Sequence, residues 1–154
     1  MFTAAFGCHI VQTEAEDILN HFNQVGEEEI SEHQKTILDF FETPVPVSDP
    51  ITRKLTDEDL YTAAKVSIAL NHFVDEKKLD GLAYYYESLE GSDLRTVVTN
   101  LIVGNSLLTA AGFPMCGESD LKTCIAMLIM DRLEIRTIAE LTKYAIREGL
   151  TSLE

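Results

Sequence analysis

The sequence predicts an α/β fold: a helix-rich domain with a small, mainly parallel sheet flanked by helices. Three observations carry that prediction. Apolar residues recur at helical spacing along most of the chain, two short β-prone runs interrupt the helices, and strand-like and helix-like segments alternate. A length of 154 residues suits one domain with at most an appendage, and 45% hydrophobic with 25% charged residues is ordinary globular composition.

Cys8–Thr13 follows Gly7, is β-rich and reads as a strand. Thr13 and Glu16 have the spacing of a capping box that would open a helix carrying Ala15, Ile18, Leu19, Phe22 and Val25 on one face. Gly26 is placed to stop it. Glu27, Glu28 and Glu29 favour the positive end of a second helix, whose buried stripe is Ile30, Ile37, Leu38 and Phe41. Three prolines between Pro44 and Pro50 predict a stiff, extended connector.

Thr56 opens the longest helix, expected to run to about Lys78. Its apolar residues, from Ala63 to Val74, occupy most of the circumference, which marks a buried helix. Leu82–Tyr86 is a continuous β-prone run and reads as a parallel strand. Asp93 can cap a segment reaching Ala111, with a break expected at Gly104-Asn105. The stretch 112–117 reads as a loop. Leu121, Cys124, Ile125, Leu128, Ile129 and Leu133 then form one helical face. Thr137 and Glu140 make another capping box, for a last helix that Gly149 ends.

Composition excludes several function classes. The net charge is −14, and residues 1–60 hold 13 acidic and 3 basic side chains. Such a surface repels phosphate backbones and anionic lipids, so no nucleic-acid or membrane partner is expected. Three cysteines without a CxxC spacing read as reduced thiols of a cytoplasmic protein. Neither a signal peptide nor an apolar run of bilayer-spanning length is visible.

The chemistry-bearing candidates are few. Gly112-x4-Gly117-Glu118-Ser119 has the glycine spacing of a phosphate-binding loop, but Glu118 stands where a lysine would neutralise phosphate. Glu118, Ser119 and Asp120 lie where this loop meets a helix N-terminus; they can serve either as functional groups or as caps. Glu29 with His33, and His72 with Glu76, are spaced i, i+4 and could touch one metal or be ordinary surface neighbours. Tyr84, Tyr85 and Tyr86 offer stacking faces or core packing.

One family resemblance spans residues 2–133. Ser48–Thr52, Leu79–Tyr86, Leu101–Ala110, Gly112–Thr123 and Ala126–Leu133 together resemble the central region of L-arabinose isomerase-type sugar isomerases. The Gly117-Glu118-Ser119-Asp120-Leu121-Lys122-Thr123 element is the most specific part. The resemblance implies aldose–ketose isomerisation assisted by Mn²⁺ or a similar divalent metal, with a sugar as the partner molecule. It implies that Glu118 is a metal ligand and takes part in proton transfer. Asp120, Lys122 and Asn105 are assigned as substrate or loop support. The family completes its metal site with a second glutamate and two histidines downstream of this loop. Here all four histidines lie upstream. The expectation is therefore a truncated central piece, residues 1–133, followed by an unmatched C-terminal helix in residues 134–154. It is expected to bind no metal and to be inactive alone, and to self-associate. The alternative is a non-catalytic fold fragment or self-association module.

Overall fold

Helix α3 (Asp57–Lys77) is the axis on which the domain is built. The computed structural model describes residues 7–43, 54–85 and 93–150. Thr56 caps α3 as expected: its hydroxyl accepts from Asp59 N–H at 3.1 Å, and the Asp59 carboxylate accepts from Thr56 N–H at 3.0 Å. Ala64, Val66, Ser67, Ile68, Ala69, Leu70, Phe73 and Val74 are all buried. A helix apolar around most of its girth needs neighbours on several sides. Three supply them: α1 (Ala15–Gln24), α2 (Glu27–Phe40) and α5 (Leu101–Ala110) all pack on α3. The short helix α4 (Asp93–Thr99) lies against α1.

The core divides into two clusters, both anchored on α3. Val66, Leu70, Phe73 and Val74 join Ile18, Leu94, Val97, Val98, Leu101 and Met115. Ala64, Ile68 and Ala69 join Val25, Ile30 and Ile37. At the C-terminus of α3, Lys78 adopts a left-handed conformation (φ 51°), and Leu79 N–H returns to Val74 C=O at 3.1 Å. The chain then enters β1 (Leu82–Ala83), which pairs in parallel with β2 (Met115–Cys116) in the register Leu82↔Met115 and Ala83↔Cys116. Helix α6 (Leu121–Arg132) covers both strands. The fold is thus a helix-rich α/β domain with a two-stranded parallel sheet.

Several local expectations change. Among the described residues, 8–13 form no strand, and Ile10 and Val11 stand exposed. The Thr13–Glu16 capping box is not made either, because α1 starts at Ala15 with Glu14 at its N-cap and no side-chain cap. Among the described residues, the β-prone run from Leu82 forms a strand at Leu82–Ala83, and Tyr85 is exposed. The helix after Asp93 breaks at Asn100 and not at Gly104-Asn105. There the Asn100 amide donates to Thr96 C=O at 2.7 Å and the Thr99 hydroxyl to Arg95 C=O at 2.7 Å, so side chains compete with the helix ladder. Of the anticipated α6 face only Cys124 and Ile125 are buried. The expected loop 112–117 contains β2. The Pro44–Pro50 connector and Tyr86 lie outside the described residues.

Helix α7 (Ile138–Arg147) has its anticipated capping box, with Glu140 N–H donating to the Thr137 hydroxyl at 3.2 Å and Thr137 N–H to the Glu140 carboxylate at 2.9 Å. None of its residues is buried, and Ile138 is 84% exposed.

Candidate functional site

The segment from Gly112 to Thr123 must leave β2, turn and enter α6 within a few residues. Main-chain hydrogen bonds set the turn: Tyr84 N–H donates to Cys116 C=O at 2.9 Å, and Ser119 N–H donates to Tyr84 C=O at 2.9 Å. The reversal puts Glu118 and Ser119 at φ 55° and 53°, two consecutive non-glycine residues in the left-handed region. Each costs on the order of 1 kcal/mol. Strain of this kind persists where surrounding structure holds it, and it gathers at functional sites. Glu118 is exposed, and among the described residues its carboxylate makes no hydrogen bond or ion pair.

Asp120 has a structural assignment. It is the N-cap of α6, accepting from Thr123 N–H at 3.0 Å and from the Thr123 hydroxyl at 2.6 Å. Those bonds to its charged form hold its carboxyl below the usual range. Lys122 is exposed on the first turn of α6. Asn105 sits on α5, where its amide donates to the Tyr84 hydroxyl at 3.1 Å and its carbonyl accepts from Thr109 at 3.1 Å. Among the described residues its link to the Glu118 turn runs through Tyr84. Of the four residues singled out in the sequence, Glu118 lies in the turn, Asp120 and Lys122 at the start of α6 and Asn105 on α5, and Glu118 is the one carboxylate without a partner among the described residues.

The histidine pairs are re-partnered by the fold. His72 on α3 meets Glu29 on α2 at 2.8 Å, and His21 on α1 meets Glu76 on α3 at 3.2 Å. His33 Nε2 instead lies 2.8 Å from the hydroxyl of the fully buried Ser67. Burial pushes the His33 imidazole below its usual range, and the Glu29 carboxylate opposes that shift. Glu29, Glu32, His33, Asn71 and His72 line a cleft of about 230 Å³ between α2 and α3, smaller than typical ligand pockets. Among the described residues no group of three or more His, Cys, Asp or Glu side chains is arranged to hold a metal ion.

A contact that sequence spacing did not reveal lies under the Glu118 turn. The Cys116 sulfur is 3.5 Å from the Met127 sulfur, and the buried Cys124 lies one helix turn before Met127 on α6. Burial raises both thiols, Cys124 to about 11. Also, among the described residues no helix is long and apolar enough to cross a membrane.

No curated protein and no solved structure matches the chain. The family model of the L-arabinose isomerase central domain matches residues 2–135, a span that includes α1 through α6 and the whole Glu118 loop. On that match the chain belongs to the L-arabinose isomerase central-domain family.

Proposed function

We propose that this domain supplies one carboxylate, Glu118, to the divalent-metal centre of an aldose–ketose isomerase acting on L-arabinose or a related sugar. The observation that carries the reading is an exposed glutamate without a described partner. It is held in a strained turn inside the family-matched span. A hard cation such as Mn²⁺ favours carboxylate oxygen, and the chemistry it supplies is polarisation of the sugar oxygens. The donor set of the described residues does not itself fit that ion: Asp120 is engaged as a cap, and no group of three ligands converges. We therefore read residues 1–133 as a contributor of one ligand and residues 134–154 as an appended helix. The remaining ligands would come from other segments, and this chain alone would turn over no sugar. Its thiols suit a reducing cytoplasm.

The test has two arms. The chain is assayed on L-arabinose with added Mn²⁺, and weak Mn²⁺ binding is measured by loss of the free-ion electron paramagnetic resonance signal. Expected are no turnover and Mn²⁺ binding that weakens in Glu118→Gln. Binding or turnover indifferent to that substitution removes Glu118 from the assignment.

A second reading, a non-catalytic module that self-associates, is favoured by one observation. Helix α7 buries none of its residues, and Ile138, Leu141 and Leu150 stand exposed. Sedimentation velocity across a concentration series tests it; a monomer at the highest concentration refutes it.

A further inference from the structure

Three sulfur-bearing side chains gather behind the Glu118 turn. Cys116 comes from β2, and Cys124 and Met127 come from the first two turns of α6. The Cys116 and Met127 sulfurs are 3.5 Å apart, and Cys124, three residues before Met127, lies on the same side of α6. Cys124 sulfur also lies 3.6 Å from Pro114 C=O. Cys116 and Cys124 are 8% and 4% exposed, so both thiols are screened from water, and Met127 is half-buried. Gly81 makes room for it: a Cβ there would stand 3.0 Å from the Cys124 sulfur. No disulfide joins the two cysteines.

We propose that Cys116, Cys124 and Met127 form a binding site for a soft, monovalent d¹⁰ cation of the Cu⁺ class. Thiolate and thioether ligands select such ions over hard divalent cations. In a trigonal plane, metal–sulfur bonds of about 2.3 Å place sulfurs about 4 Å apart, so the 3.5 Å contact has only to open slightly. On binding, two S–H bonds break, two metal–thiolate bonds form, and both protons pass to solvent; the thioether adds a neutral donor. No electron is transferred. Cys124 lies in the first turn of α6, whose dipole favours negative charge. The bound ion would tie β2 to α6 across the turn that carries Glu118. The site shares no ligand with Glu118 and stands whether or not the isomerase reading does.

The experiment uses the full chain carrying Cys8→Ser, because the half-buried Cys8 is the one other thiol. Under anaerobic conditions Cu⁺ is titrated against bicinchoninate as a competing chelator. The expected result is one tightly held Cu⁺ per chain, with three sulfur neighbours by X-ray absorption. Cys116→Ser and Cys124→Ser should each weaken binding by at least about 100-fold, the upper range for losing even an outer-shell partner of a metal ligand. Circular dichroism checks that these variants fold. Should either unfold, Met127→Leu, which conserves volume, decides the matter. Cu⁺ affinity unchanged in Met127→Leu, two sulfur neighbours in place of three, or no retention against the chelator overturns the proposal. Glu118→Gln should leave Cu⁺ affinity unaltered while weakening Mn²⁺ binding, which separates this site from the isomerase reading.

Discussion

Gly104→Ala tests how closely α5 approaches the central helix. A Cβ at this position would lie 3.0 Å from Leu70 Cδ2, 3.1 Å from Ser67 Cα and 3.2 Å from Ser67 Oγ. Alanine is the better helix former by roughly 1 kcal/mol, so helix propensity alone would make the substitution stabilising. Overpacking opposes it at roughly 1–3 kcal/mol. The contacts decide the sign. Ser67 Cα is main chain in the middle of α3, and Leu70 is 0% exposed, so neither has space to retreat. The expected net effect is a loss of about 1 kcal/mol, or roughly 2–4 °C in melting temperature for a domain of this size. Urea titration and a thermal scan, both followed by circular dichroism, measure it. A variant that melts at or above the wild-type temperature would show that the α3–α5 crossing yields easily, and would refute the close-packing argument. Gly104→Val should cost more than alanine, because it adds two methyl groups to a contact already full.

Three further outcomes are expected. Phe73→Ala removes a ring that is 1% exposed at the centre of the larger cluster, and should cost roughly 3–5 kcal/mol in urea unfolding. Thr56→Ala breaks the capping box of the helix on which both clusters rest, and should lower stability by about 1 kcal/mol in the same titration. Acidification should destabilise the domain through His33. Burial holds its folded pKa below the unfolded value of 6.5, so the unfolded chain binds more protons between the two, and stability falls as pH drops through that window. Glu29, Glu32, His72 and Ser67 surround this group, so the comparison is made with His33→Gln. From about pH 7.5 to about pH 5.5, a range that brackets the ordinary histidine value, the wild type should lose more of its urea midpoint than the variant. An equal loss in both would assign the pH dependence to other groups.

The sequence was most informative where the signal is local. The Thr56–Asp59 and Thr137–Glu140 capping boxes form as their spacing requires, because each involves four consecutive residues and no tertiary partner. The all-round apolar surface of residues 63–74 announced the buried central helix. It misled where a local pattern depends on a distant neighbour. Residues 8–13 have strand composition but form no strand among the described residues, and of Leu82–Tyr85 the strand takes in Leu82 and Ala83. Gly104 resembled a helix breaker because glycine is a poor helix former; its absent side chain instead admits Ser67 and Leu70.

The site divides the same way. The sequence by itself determined the family, through the Gly117–Thr123 element and the segments around it, and marked Glu118 as the residue to examine. It also determined the acidic character and most helix boundaries, since these follow from residue identity and spacing. The sequence also offered Asp120 as a cap, which the structure makes, but only the tertiary structure held Glu118 in a left-handed turn through the Tyr84 main chain. Only it paired Glu29 with His72 and brought the Cys116 sulfur against that of Met127. The physical reason is reach. Side chains a few residues apart interact through one helix turn, whereas those 34 or 43 positions apart meet only when whole elements bury their apolar faces against each other.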